Sequence, residues 1–158
     1  MTTREQPWSD DAPEVGRVVA LSRNPISEAI ATIAGTTGRE VVVVEPDEGG
    51  RGVAAVAELS LRAGDAVVLC DHDAPDAPQV IRDALASPAS YVAMMASRRR
   101  AESVRTELEG EGVPGLEKLH VPAGLNTGGR APGEIALSVV AEIVAESYGR
   151  PGGPMRAG

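Results

Sequence analysis

Short apolar runs separated by helix-length stretches set the pattern of this 158-residue chain. The first run, Arg17 to Ser22 (RVVALS), reads as a buried strand. Asn24 and Pro25 follow as N-cap and first helical residue, where a missing N–H costs little. Ile26, Ile30 and Ile33 recur at helical spacing, and Gly35 or Gly38 ends that helix. Val41 to Val44 is a run of four valines, the kind a parallel strand buried on both faces carries. It ends in Glu45-Pro46-Asp47, which completes a strand–helix–strand unit whose crossover should be right-handed. A loop over Asp47–Gly52 and a short helix over Val53–Leu61 come next. Ala66–Cys70 is another strand, ending in Asp71-His72-Asp73. A helix at about Ala77–Ala86, a strand over Ser90–Met94 and a polar helix capped by Ser97 and running to Glu111 continue the alternation. Leu119–Val121 is a brief strand and Pro122–Ala131 a loop. Pro132 opens the last helix, on which Glu134, Ser138, Glu142 and Glu146 form one row. Ile135, Val139 and Ile143 with Val140 and Val144 form its buried face.

This alternation predicts a Rossmann-like three-layer α/β/α domain with a mostly parallel sheet over residues 16–148. Residues 1–15 read as a flexible arm, and the Gly/Pro-rich stretch 149–158 as a disordered tail.

Composition narrows the function. With no Phe, one Trp and two Tyr, the core must be aliphatic, and a base-stacking platform for single strands has no material. A net charge of −8 argues against binding nucleic acid through its phosphates. Cys70 is the single cysteine, so the chain holds no internal disulfide and no CxxC motif. No apolar run approaches the roughly 20 residues of a membrane helix. Met1 to Pro13 is polar, without the apolar core of a signal peptide. A cytoplasmic protein with no membrane and no nucleic-acid partner is the expectation.

In open α/β sheets ligands bind beyond the carboxyl ends of the strands. That places Ser22–Ser27, Glu45–Asp47, Cys70–Asp73, Met95–Arg100 and the loop Val121–Arg130 around one candidate site. A dinucleotide fold wants three glycines, G-x-G-x-x-G, in its first turn. Here the turn reads Ser22-Arg23-Asn24-Pro25-Ile26-Ser27, with no glycine and with a proline where an anion-facing N–H is needed. Glu45 stands where a ribose-binding acid belongs, and equally reads as a solvated acid at a strand end. An NAD(P)-binding oxidoreductase therefore stays as an alternative that the missing glycines oppose.

Ser97-Arg98-Arg99-Arg100 opens a helix with three cations at the end whose dipole favours anions. Free N–H groups and guanidinium forks there suit a phosphate. The plainer reading is a solvated basic patch offset by Glu102 and Glu107. Gly124-Leu125-Asn126-Thr127-Gly128-Gly129-Arg130 is a loop of the kind that wraps an anion or simply connects two elements. Asp71-His72-Asp73 admits a metal site or a polar turn around His72. Cys70 reads as a small buried hydrophobe, with a sulfur-ligand role left open. No spacing marks a catalytic nucleophile, so catalysis by this chain alone has no support.

Several linked segments resemble the XdhC/CoxI family, specifically its C-terminal Rossmann domain. They are Tyr91-Val92-Ala93-Met94-Met95-Ala96-Ser97-Arg98-Arg99, Leu119-His120-Val121-Pro122-Ala123-Gly124-Leu125-Asn126-Thr127-Gly128, and Arg130-Ala131-Pro132-Gly133-Glu134-Ile135-Ala136-Leu137-Ser138. Leu69-Cys70-Asp71-His72-Asp73 is similar to the family's third strand end. The match is good over 60–148 and loose over 16–47. The resemblance implies an accessory protein for maturing molybdenum hydroxylases, such as xanthine or carbon monoxide dehydrogenase. Such a protein holds the molybdenum cofactor (molybdopterin or its dinucleotide), presents it to a cysteine desulfurase for sulfuration, and delivers it to the apo-enzyme. It implies Ser97, Arg98, Arg99, Arg100, His72, Gly124, Leu125, Asn126, Thr127, Gly128, Glu45 and Ser22 as cofactor-binding candidates, and suggests a homodimer. A ligand-free scaffold that binds a partner protein is the third alternative. The departures are specific. The family's glycine- and histidine-bearing first turn is Ser22–Ser27 here, two of its glycines are Ala93 and Ala96, and the N-terminal domain with a cysteine motif that fuller members carry has no counterpart in these residues.

Overall fold

Among the described residues, five short strands account for the apolar runs: β1 (Val18–Leu21), β2 (Val41–Val44), β3 (Ala66–Leu69), β4 (Tyr91–Met94) and β5 (Leu119–His120). A computed structural model describes residues 15–45, 56–71 and 76–157. The N-terminal arm, the Asp47–Gly52 loop and His72 lie outside these residues. All five strands are parallel, in the order β2-β1-β3-β4-β5. Val18 pairs in register with both Val41 and Ala66, and the ladder continues through Ala66 to Tyr91. The helices are α1 (Pro25–Thr36), α2 (Ala77–Ala86), α3 (Arg98–Glu111) and α4 (Pro132–Ser147). Of the helix expected over 53–61, residues 56–58 are helical and 53–55 are not described.

Period-two alternation sends each strand's side chains into two separate cores. Val19, Leu21, Val67, Leu69, Val92 and Met94 pack under α2 and α3. Val18, Ala20, Ala66, Val68, Tyr91 and Ala93 pack under α1 and α4. The sheet is thus covered on both faces, as an all-parallel sheet requires. Helix ends follow the sequence: Asn24 caps α1, Ser97 caps α3, and Gly112 closes α3 with a left-handed φ of 65°.

One expectation fails. The four valines of β2 are half-buried, not buried on both faces. The chain crosses from β2 back over β1 to β3, so β2 is left as an edge strand with a neighbour on one side only. That same reversal creates the crevice between the carboxyl ends of β1 and β3.

Two buried charges hold the opposite, amino-terminal end. Asp65, 1 % exposed, accepts from the Arg17 backbone N–H at 2.9 Å, the Arg17 guanidinium at 2.7 Å and the Arg62 N–H at 2.8 Å. Burial alone would raise its pKa, but the Arg17 hydrogen bond and the two backbone donors outweigh it and hold the carboxyl below its usual value. Gly16 lies against this corner so closely that a Cβ would stand 2.2 Å from the Gly64 carbonyl carbon. Arg39 is buried with two hydroxyl partners, Thr37 Oγ1 and Ser147 Oγ, each at 3.0 Å. Those hydroxyls sit at the C-terminal ends of α1 and α4, whose partial negative charges offset the guanidinium.

Because the folded pKa of Asp65 is lowered, its stabilisation is present above the unfolded carboxylate pKa and is lost as pH falls through the folded value. Asp65→Asn should cost about 3 kcal/mol at pH 7, the scale for removing one partner of a buried pair. Thermal unfolding from pH 7 downward should show the gap between wild type and variant narrowing below about pH 4. A constant gap would show that the ion pair does not carry the effect.

Candidate functional site

The first turn is closed to ligands by its own side chains. Asn24 Oδ1 accepts from the N–H groups of Ile26 and Ser27, at 3.0 and 2.9 Å. Pro25 has no N–H, and the Glu28 N–H donates to the Asn24 carbonyl at 3.0 Å. Ser27 Oγ accepts from the Asn24 N–H at 2.7 Å, completing the capping box. Every donor that could face an anion at the start of α1 is therefore used within the turn. Asn24 Nδ2 also reaches across the crevice to the Cys70 carbonyl at 3.1 Å, tying β1's end to β3's. Arg23 leaves this turn to pair with Glu45 and lies 3.9 Å from Glu28. The acid in the ribose-binding position already has a cation on it.

The open space lies on the other side, over β3, β4 and β5. A cleft of about 990 Å³ is lined by Cys70, Met95, Ala96, Ser97 and Arg98 from the strand ends and the start of α3. The whole loop from Pro122 to Arg130 forms its other wall, and Ile26 and Ile135 its apolar floor. Ser97, Arg98, Gly124, Leu125, Asn126, Thr127 and Gly128 are thus brought together. Ser22 and Glu45 are not among the lining residues. Arg99 is exposed and does not line the cleft, while Arg100 borders a small hollow between α2 and α3 with Ile81 and Glu107. His72 falls outside the described residues. Ser97 Oγ accepts from the Arg100 N–H at 3.1 Å, which leaves the N–H groups of Arg98 and Arg99 with no acceptor inside the helix.

Helix α4 seats the loop along one row of its surface. Glu134 accepts from the N–H groups of Arg130 and Ala131, at 3.2 and 3.1 Å. One turn on, the Ser138 carbonyl accepts from the Leu125 N–H at 3.2 Å. A further turn on, Glu142 Oε1 accepts from the Gly124 N–H at 3.1 Å and from the Tyr91 hydroxyl at 2.6 Å. Gly124 has a φ of +96° and approaches Ser138 so closely that a Cβ would sit 2.4 Å from its Oγ, so only glycine fits. Burial, then the Glu142 charge, pushes the Tyr91 phenol above its ordinary pKa and keeps it a hydrogen-bond donor. His120 stacks on Tyr91, ring centroids 4.5 Å apart, with Nδ1 3.6 Å from Glu142.

Two members of this arrangement were not among the cofactor-binding candidates. Arg130, placed with its loop at the strand ends but not singled out, lines the cleft two residues before Pro132 opens α4. Glu142 was visible only as one member of the row Glu134–Ser138–Glu142–Glu146.

Cys70 lines the cleft but is 5 % exposed, and burial first, the Asp71 charge second, pushes its thiol up to about 12. Metal ligation needs the thiolate. Among the described residues no three His, Cys, Asp or Glu side chains are grouped to hold a metal ion, and no helix is long and apolar enough to cross a membrane.

A doubly wound parallel sheet with a cleft beyond its strand ends defines a Rossmann-type domain. The sequence matches the family model for the XdhC Rossmann domain over residues 18–143, and the chain belongs to that family. It is 32 % identical over 104 residues to the protein YqeB of Escherichia coli (strain K12), a match that covers 65 % of this chain and 19 % of YqeB. A solved structure described as a xanthine dehydrogenase from Bacillus halodurans superposes with a TM-score of 0.68 at 17 % identity, covering 88 % of this chain and 44 % of that one. The likeness to the Bacillus protein is one of fold. This chain spans less than half the length of either relative.

In native protein at pH 8, Cys70 should stay unreactive toward Ellman's reagent over minutes and give one equivalent in denaturant. Rapid stoichiometric labelling of the folded chain would mean that the thiol is neither buried nor held protonated.

Proposed function

We propose that this chain serves the maturation of a molybdenum hydroxylase of the xanthine or carbon monoxide dehydrogenase type, by cradling the molybdenum cofactor in the cleft over β3–β5. The observation that carries the reading is the convergence on one cleft of the α3 N-terminus, Arg98, Arg130 and the glycine-rich loop. A pterin phosphate needs donors for the anion and an apolar surface for the ring. Arg98, Arg130 and the free N–H groups of the first α3 turn supply the donors. Ile26, Met95 and Ile135 supply the surface. Gly124 lets the loop lie close against α4, which keeps the cleft open. The cofactor brings the metal centre that the target enzyme uses, while this chain's residues bind and orient the organic part and offer the metal no thiolate. Family membership supports the accessory role. An apo molybdenum hydroxylase and a cysteine desulfurase are the partners it implies, in the cytoplasm, with residues 16–148 acting as one domain and a homodimer as the assembly.

Expressed in a host that makes the cofactor, the purified protein should release a fluorescent pterin on oxidation. Loss of one charge-assisted hydrogen bond costs about 1.5–3 kcal/mol, so Arg98→Ala and Arg130→Ala should each bind the pterin roughly 10- to 100-fold more weakly and retain correspondingly less of it. Arg99→Ala, away from the cleft, should retain most of it. Absence of pterin from wild type, or equal yields from all three variants, would sink the reading. Calorimetry with millimolar NAD(H) and NADP(H) tests the oxidoreductase alternative, and the self-capped start of α1 predicts no heat.

A further inference from the structure

We propose that Glu142 is the positioning residue of the glycine-rich loop, with its carboxylate fixing Gly124 at the loop's entry after β5 and so where the loop's cleft wall stands. The site in which it matters rests on the cofactor reading above, but the positioning itself does not. A carboxylate set into a protein interior is costly unless its lone pairs are filled. Glu142 is 17 % exposed, and one oxygen, Oε1, takes both the Gly124 N–H at 3.1 Å and the Tyr91 hydroxyl at 2.6 Å. Those two donors come from the loop and from β4, which the Ala123 N–H also joins by donating to the Met94 carbonyl. Among the described residues, Glu142 is therefore the α4 side chain that hydrogen-bonds both the loop's entry and the sheet.

The rest of the row holds the loop to the helix alone. Ser138 receives Leu125, and Glu134 receives Arg130 and Ala131 at the loop's exit. With both ends pinned on α4, residues 126–129 arch over the cleft as its wall. Without Glu142, the exit stays pinned while the entry keeps only the Ala123 and Leu125 backbone bonds and loses its hold at Gly124. The span between Arg98 and Arg130 is then no longer set. An acceptor-only group suits the position, because Tyr91 and Gly124 both bring donors and the His120 ring lies 3.6 Å from the same oxygen.

Amide hydrogen exchange tests this without any ligand. In Glu142→Ala the Gly124 and Leu125 amides should exchange about tenfold faster than in wild type, while Val68 in β3 and Ala93 in β4 stay unchanged. Glu142→Gln keeps an acceptor oxygen and should restore slow exchange to within about threefold. Tyr91→Phe leaves the Gly124 bond in place and should leave that amide slow. Should the alanine variant not fold, the Gly124 amide proton shift decides. It should move upfield from wild type to Glu142→Gln as the acceptor loses its charge, with Val68 and Ala93 fixed. Equal Gly124 exchange in wild type and Glu142→Ala, exchange rising alike across the sheet, or no shift change in Glu142→Gln would each overturn the proposal. A loop mobilised with unchanged pterin yield would leave the positioning role standing and remove the cleft as the cofactor site.

Discussion

Where a ligand can sit on this sheet follows from how Asn24 terminates α1. Its carboxamide oxygen takes two of the helix's first N–H groups, Pro25 lacks a third, and its amide nitrogen bridges to the Cys70 carbonyl. A Rossmann-type fold ordinarily leaves those N–H groups for a pyrophosphate. Here they are saturated from within. The neighbouring acid, Glu45, is occupied in the same way by Arg23. The helix N–H groups left without an acceptor in their own turn therefore lie across the switch point, at Arg98 and Arg99 of α3.

The two ends of the sheet divide their work. At the amino ends, buried charges are paired within the fold: Asp65 with Arg17 and two backbone donors, and Arg39 with hydroxyls at the C-termini of two helices. At the carboxyl ends the polar groups are arranged with donors to spare, in Arg98, Arg130 and the first turn of α3. Helix α4 runs between these ends. Its last residue meets Arg39, and its row from Glu134 to Glu142 carries the loop that walls the cleft. One helix thus contributes to both ends of the sheet and ties the glycine-rich loop to the core.

Much of the fold was legible because burial on two faces demands continuous apolar strands, and capping demands specific residue types. The strands at Val18–Leu21 and Ala66–Leu69 and the helix over Ala77–Ala86 follow from runs and periodicity. Asn24 and Ser97 follow from cap chemistry. The status of β2 did not follow. A run of four valines looks the same whether a strand is central or at an edge, and only the reversal of strand order at β1 decides. The gathering of Ser97 and Arg98 with Gly124–Gly128 was anticipated from the rule that strand ends converge.

The three arginines show the limit of a linear reading. Successive helix positions are turned by about 100°, so Arg98, Arg99 and Arg100 point three ways, and only Arg98 lines the cleft. Likewise, sequence alone marked the glycine-free first turn and made nucleotide binding there doubtful. That Asn24 and Arg23 fill the vacant positions with their own side chains required the folded arrangement of β1, β2 and β3. Local sequence determined the elements, their caps and the residue types at each strand end. Tertiary structure decided which of those residues share a cleft, because pairing a loop with α4 through Glu134, Ser138 and Glu142 is a contact between segments whose only link in sequence is a spacing of four.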